Sequence, residues 1–250
     1  MTSDLLIISG CTGVGKTAFS LNLAKHLNIE IVSADSIQIY KSLDIGTSKL
    51  TPQEASVCPH HMIDIISPFE SYNVFQYVKD AKKIIADIWS RGALPVVVGG
   101  TGLYVESLIK NYSFKNDKLT EKMDFKYKHL CLFRDRQKMY KTIDARVDKM
   151  MEQGLVKEVE TLHKLGIPDD AQCMQAIGYK EILEYLNNEI SLDEAVDKIK
   201  QNSRNYAKRQ LTWFRHMDCE WIDVDKDLSK VVEQLCAFYD KYKKTQAPDV

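Results

Sequence analysis

The octapeptide Gly10-Cys11-Thr12-Gly13-Val14-Gly15-Lys16-Thr17 constrains this chain more than any other stretch. It has the spacing G-x-x-x-x-G-K-T, follows the apolar run Leu5-Leu6-Ile7-Ile8, and opens a helical pattern from Ala18 to Leu27. Strand, glycine loop and helix in that order turn backbone N–H groups inward around a phosphate. The positive end of the new helix adds to them. Lys16 brings an ammonium to the same oxygens, and the Thr17 hydroxyl is placed to hold Mg²⁺. The plainer alternative is a chance match in a loop, and the flanking strand and helix speak against it. The loop specifies a phosphate or diphosphate but not a reaction.

Further strands follow at a regular spacing. Ile29 to Ser33 is β-rich and ends at Asp35-Ser36. Thr51-Pro52-Gln53-Glu54 opens a helix, with Thr51 as cap. His60 to Ile65 reads as a third strand, and Val74 to Arg91 as a helix stopped by Gly92. Leu94-Pro95-Val96-Val97-Val98 is a continuous apolar run, the mark of a strand buried on both faces. It ends in Gly99-Gly100-Thr101-Gly102, and a helix follows from Leu103. The alternation predicts an α/β fold: a P-loop NTPase-like parallel sheet flanked by helices. Residues 113–127 read as a linker or short exposed helix, and His129 to Phe133 as another strand. Residues 134–216 read as a mainly helical C-terminal part packed on the core. Within it, helical spacing runs from Arg136 to about Gly166 and from Ile177 to Leu186, and Ser191 to Glu194 forms a capping box. Cys219 to Val224 is a last short strand, and the tail to Val250 one more helix. We expect residues 1–250 to form a single domain.

Ligands of such sheets bind at the carboxyl ends of strands. The glycine loop, Asp35-Ser36 and Gly99-Gly100-Thr101 all occupy such ends and converge on one crevice. Asp35 there suits a general base or a magnesium ligand, with a helix cap or turn residue as the plainer alternative. Thr101 offers a hydroxyl, unless its glycine-rich surroundings are only a tight turn. Charge limits the partners. The net charge of −1 means that any nucleic-acid contact comes from a local patch. Lys198 to His216 holds such a patch, with six Lys/Arg and no acid. As a helix, it puts Lys200, Arg204, Lys208 and Arg215 on one stripe, with Ile199, Tyr206, Arg209 and Trp213 roughly opposite. The stripe fits a polyanion or is a solvated face. Arg209, among apolar neighbours, is expected to need a buried anion.

The N-terminus lacks a signal-peptide pattern, and no run approaches a membrane span. The six cysteines are scattered without C-x-x-C, which suits reduced thiols in a cytoplasm. Cys58-Pro59-His60-His61 is better read as a loop entering a strand than as a metal cluster, because no second ligand group pairs with it.

With these motifs in hand, the chain resembles the tRNA dimethylallyltransferase (tRNA isopentenyltransferase) family. The matching segments are GCTGVGKT, SADSIQIYKSLDIGTSK (33–49), HHMIDI (60–65), VVVGGTGLY (96–104), MQAIGYKE (174–181) and YAKRQLTWFR (206–215). The resemblance implies transfer of a dimethylallyl group from dimethylallyl diphosphate to N6 of the adenosine beside the anticodon of a tRNA. It implies that Gly10 to Thr17 and Arg209 hold the diphosphate, with Lys16 and a Thr17-bound Mg²⁺ neutralising the leaving group. Asp35 would take the N6 proton. Asp35, Ser36, Ile37, Gln38 and Thr101 would contact the flipped-out adenosine and its neighbours. Arg204 and Lys208 would grip diphosphate or tRNA phosphate. The implied partners are the anticodon stem-loop and the prenyl diphosphate, with the protein a cytoplasmic monomer.

Two departures from the family pattern stand out. The helical insertion usual between the GGTGLY helix and the next strand shrinks to residues 113–127, without the Asp-Pro-Gln-Arg stretch found inside it. Ile37 stands where many members carry arginine. The alternatives are therefore a free-adenylate prenyltransferase, a P-loop small-molecule kinase, and a non-catalytic tRNA-binding remnant. The kinase reading lacks an arginine-rich lid and gives KRQLTWFR no role, and the remnant need not keep Lys16, Thr17, Asp35 and Thr101.

Overall fold

The strands are β1 (Asp4–Gly10), β2 (Ile29–Ser33), β3 (His60–His61), β4 (Leu94–Gly99), β5 (Lys126–Phe133) and β6 (Glu220–Asp223). In the computed structural model, which describes residues 3–111 and 123–244, they form one sheet in the order β3-β2-β4-β1-β5-β6. Every pairing is parallel. The helices are α1 (Lys16–Leu23), α2 (Pro52–Ala55), α3 (Val74–Ser90), α4 (Gly102–Ile109), α5 (Arg136–Gln153), α6 (Leu155–Lys164), α7 (Tyr179–Leu186), α8 (Leu192–Phe214) and α9 (Ser229–Phe238). None of them is long and apolar enough to cross a membrane.

The apolar runs are continuous because both faces of the sheet are covered. Leu5 and Ile7 of β1 enter one core with Val32, Val97 and Cys131, beneath Val78, Ala81, Ile85 and Ile88 of α3. Leu6 and Ile8 enter the other with Ile31, Val96, Leu130 and Leu132, beneath Phe19 and Leu23 of α1 and Leu235 of α9. Each such fully buried Leu or Ile contributes about 1.5–3 kcal/mol. The helix starts follow their caps. Thr51 with Glu54, Asn73 with Gln76 and Ser191 with Glu194 form reciprocal capping boxes.

Several boundaries differ from the sequence expectation. The third strand stops at His61, because Met62 and Asp64 take positive φ of 64° and 56°, which breaks the pleat. The long helical run after Arg136 splits at Gly154, whose φ of 98° ends α5 and starts α6. The fifth strand begins at Lys126, three residues before His129. Most of the expected 113–127 linker and the last residues of the tail lie outside the described residues.

Candidate active site

In the strand order, β2, β4 and β1 are neighbours, with Ser33 opposite Val98 and Ser9 opposite Gly99. The loops that leave their carboxyl ends, 10–17, 34–38 and 99–102, therefore emerge side by side. They border a crevice of about 1610 Å³, which α5 and α8 close on the far side. Thr12, Gly13, Gly15, Lys16 and Thr17 line it. Cys11 and Val14 are buried beneath, and the Cys11 Sγ rests 3.1 Å from Met139 Sδ. Lys16 Nζ donates to the carbonyls of Gly10 and Cys11, each at 2.9 Å. Burial pushes its ammonium pKa below the usual lysine value, with the charge of Asp35 among the groups that oppose this.

Asp35 begins a turn in which its Oδ1 accepts the amides of Ile37 (2.9 Å) and Gln38 (3.2 Å). Among the described residues nothing donates to Oδ2. Ser36, Ile37 and Gln38 follow it along the crevice wall. Thr101 joins from the β4 turn. Its Oγ1 accepts the Ser36 amide at 3.1 Å and donates to the Ser36 hydroxyl at 3.3 Å, so the second and fourth strand loops are tied together. Tyr206 of α8 lies beside them. Burial, aided by the Asp35 charge, pushes its phenol up to about 12, so it enters as a neutral hydroxyl.

Two residues that sequence reasoning missed complete the site. Gln210 of α8 is buried; its Oε1 accepts the Thr12 amide at 2.8 Å and its Nε2 donates to the Gly100 carbonyl at 2.9 Å. Gly100 and Gly102 of the β4 turn make room for this helix. A Cβ on Gly100 would lie 2.3 Å from Gln210 Nε2, and one on Gly102 would lie 2.5 Å from the Trp213 ring. Arg146 of α5 donates from Nη1 to Thr12 Oγ1 (2.7 Å), from Nε to Ser48 Oγ (2.8 Å) and from Nη2 to the Thr47 carbonyl (3.2 Å). Burial lowers its pKa, and Asp35 is the carboxylate that offsets this. Two desolvated cations thus face one carboxylate across the glycine loop, a field that favours an anion. Arg146 carried a usable signal: it sits beside the apolar positions Ile143, Val147 and Met150 of its helix.

The loop holding Thr47 and Ser48 is itself pinned. The Glu158 carboxylate, in the first turn of α6, accepts the amides of Asp44 (2.9 Å), Ile45 (2.8 Å) and Gly46 (3.1 Å). It also accepts the Tyr179 hydroxyl at 2.7 Å. Gln38 Nε2 reaches the Thr47 carbonyl at 3.1 Å from the other side.

The basic residues of α8 separate into three groups, and the expectation for Arg209 is corrected. Arg209 is exposed, not buried, and lies at the crevice edge with its guanidinium 5.6 Å from the Tyr206 ring. The buried line of the helix runs through Ile199, Ala207, Gln210 and Phe214 instead. Arg204 does not reach the crevice; it pairs with Asp144 of α5. Lys208 faces away from it, 5.9 Å from the Tyr140 ring. Cys58 to His61 is a loop entering a strand. His60 Nδ1 lies 2.8 Å from the Cys58 carbonyl and His61 Nε2 lies 2.7 Å from Glu30, and among the described residues no three His, Cys, Asp or Glu side chains gather to hold a metal ion.

Comparison with known proteins adds an independent line. The family described as IPP transferase matches residues 38–129 and 113–217. A tRNA dimethylallyltransferase of Bacillus cereus (strain AH820) is 40% identical over 283 residues, covering 87% of this chain and 89% of that protein. One from Bacillus anthracis is equally similar, with 90% of its length covered. Those 283 positions outnumber the residues of this chain, so the relatives carry residues inside the matched region that this chain lacks. The two family segments meet at 113–129. Among solved structures, the full-length tRNA isopentenylpyrophosphate transferase of Bacillus halodurans superposes with a TM-score of 0.88 at 36% identity over 96% of each chain. The tRNA delta(2)-isopentenylpyrophosphate transferase of Staphylococcus epidermidis gives 0.86 at 33%, over 96% of this chain and 100% of that one.

Proposed function

Since this chain belongs to the IPP transferase family, we propose that its crevice moves a dimethylallyl group from dimethylallyl diphosphate to tRNA, onto N6 of the adenosine next to the anticodon. The observation that carries this reading is the meeting of the phosphate loop, Lys16 and Arg146 with the Asp35 carboxylate and the Ser36 hydroxyl in one crevice, with Thr101 bonded to Ser36 behind its wall. A kinase would need a nucleoside triphosphate as donor and a hydroxyl or phosphate as acceptor. Here the groups opposite the loop, Asp35 and Ser36, suit a neutral amine that loses a proton.

The diphosphate sits on the amides of Gly13 to Thr17, at the N-terminus of α1, between Lys16 and Arg146. An anion there favours the ammonium form of Lys16, against the burial that lowers its pKa. As N6 attacks C1, the C1–O bond breaks and its electron pair leaves with the diphosphate. Lys16, Arg146 and the loop amides are already in place for that developing charge. The N6 proton passes to Asp35 Oδ2, the oxygen that the turn does not use. Thr101 and Ser36 hold the Asp35 turn against β4, and Gln38 borders the space for the extruded adenosine. The Thr17 side chain, exposed at the start of α1, suits Mg²⁺, which takes few protein oxygens and completes its shell with phosphate and water. When bound, Mg²⁺ would add Lewis-acid neutralisation of the leaving diphosphate. Arg209 at the crevice edge is placed for the RNA or the diphosphate. In this reading the protein is a cytoplasmic monomer, and its six cysteines are free thiols.

The test is a transfer assay with labelled dimethylallyl diphosphate, offered unmodified tRNA or AMP in separate reactions. Label in tRNA is expected. Label in AMP alone overturns the tRNA reading in favour of a free-adenylate enzyme, and binding of tRNA without transfer leaves only a remnant.

A further inference from the structure

Helices α5 and α8 run antiparallel, and their facing side chains form a ladder with a four-residue step. At its first two rungs a cation of α8 meets a carboxylate of α5: Lys200 with Asp148 (2.5 Å), and Arg204 with Asp144. At the third rung, Lys208 meets Tyr140 instead, its ammonium 5.9 Å from the ring. One turn further, α5 offers another cation. Arg136 lies against the same residue, 5.3 Å from the ring centre, with Nε donating to the Tyr140 hydroxyl at 3.0 Å. Arg215 closes the end of α8. The neutralisation that serves the rest of the ladder therefore stops where Arg136, Lys208 and Arg215 come together.

These three cations rim a cavity of about 730 Å³, separate from the crevice, whose walls are Phe133, Met139, Tyr140, Leu211 and Trp221. Arg134 also lines it but is already paired, with Asp225 at 3.4 Å. Among the described residues, no Asp or Glu lines the cavity. Trp221 stands edge-on to Phe133, ring centres 5.9 Å apart, and is partly exposed. Like charges gathered without a carboxylate repel one another, so the arrangement favours an anion. The aromatic walls favour a flat ring attached to that anion.

We propose that this cavity is a second RNA subsite, which takes a nucleotide of the single-stranded part of the substrate RNA. Its base stacks on Trp221 or Tyr140, and its phosphate meets Lys208, Arg215 and Arg136. The inference rests on the tRNA reading above and adds a binding site outside the crevice. The two sites share a wall: Met139 lies in the cavity and touches Cys11 of the phosphate loop. On α8, Lys208 faces the cavity while Arg209 and Gln210 face the crevice. The subsite supplies phosphate-binding groups on this chain's own core.

The experiment compares wild type, the double variant Lys208→Ala/Arg215→Ala, and Trp221→Ala in steady-state transfer to tRNA. Binding of the same tRNA is measured across a salt series. Thermal melting confirms that each variant folds. The double variant is expected to raise KM for tRNA about tenfold and to leave KM for dimethylallyl diphosphate unchanged. The slope of log K against log salt should fall by about 0.7, the share of the one single-strand phosphate that these cations neutralise. Trp221→Ala is expected to raise KM for tRNA about tenfold without a change in salt slope, as loss of one stacked base does. An unchanged KM for tRNA in both variants overturns the proposal. So does a KM increase in the double variant with the wild-type salt slope, because impaired packing would give that result. A cavity that binds free AMP and not RNA, read by Trp221 fluorescence, overturns it in favour of a mononucleotide site. If wild type transfers nothing to tRNA, the functional reading itself fails, an outcome distinct from a wild type that works and variants that match it.

Discussion

The carboxamide of Gln210 accepts the backbone amide of Thr12 at 2.8 Å, across 198 residues of sequence. Its other end donates to the carbonyl of Gly100 at 2.9 Å. One side chain thus fixes the phosphate loop to the β4 turn, and both to α8. Gln210→Ala leaves a donor and an acceptor without partners, at a cost of about 1–3 kcal/mol. Melting should show that loss, and KM for dimethylallyl diphosphate should rise several-fold. Gln210→Glu keeps the acceptor for Thr12 but sets a carboxylate against the Gly100 carbonyl. It should destabilise the protein with a smaller rise in that KM.

Asp35 uses Oδ1 to shape its turn, which leaves Oδ2 for the proton transfer proposed above. Asp35→Asn retains an acceptor for the turn amides and removes the base. It should lower kcat by a factor of ~10² or more, with a small change in KM for the prenyl diphosphate. Asp35→Ala should add a stability loss that Asp35→Asn lacks. A near-wild-type kcat in Asp35→Asn would remove this carboxylate from proton transfer.

Glu158 holds the 44–46 turn through three amides and accepts the Tyr179 hydroxyl. Glu158→Ala should cost about 2 kcal/mol, the order expected for hydrogen bonds to a charged acceptor. Tyr179→Phe should cost less. Because the two groups share one network, their double-mutant cycle should show a coupling of about 1 kcal/mol in melting measurements. Additive losses would show that the phenol and the turn are held independently.

His129 offers a pH test. Its Nε2 lies 2.8 Å from Ser9 Oγ in the sheet interior, and burial pushes its pKa down to about 4. An unfolded chain takes up that proton near pH 6.5, before the native state does, so stability falls as pH drops from about 7 toward 4. The loss from this one group is on the order of 3 kcal/mol. His129→Asn should melt with a shallower pH dependence over that interval, and an identical slope would show that His129 titrates alike in both states.

Much of this was legible because it is local. The phosphate loop is one uninterrupted stretch, and the runs Leu5–Ile8 and Val96–Val98 announce strands covered on both faces. Asp35 and Thr101 could be placed because each follows such a strand. What escaped depends on partners far away in sequence. Gln210, Arg146 and Glu158 act on residues 198, 134 and more than 100 positions distant. Arg209 shows the limit of helical spacing. Neighbours on a helix differ by only 100°, so the pattern that found a buried face could not tell Arg209 from Gln210. Which neighbour is covered depends on where the β4 turn packs.

The place of β1 in the sheet has a consequence for local opening. It pairs along its length with β4 on one side and β5 on the other. Amides there lose protection only when the whole sheet comes apart, so hydrogen exchange at Leu6 to Ile8 should report the global free energy. The turn pinned by Glu158 has no ladder behind it and should exchange through small, frequent openings. The glycine-loop half of the crevice is thus carried by the slowest-opening part of the molecule, and the 44–46 wall by a faster one. The donor would enter a fixed cradle, while the acceptor's side breathes around it.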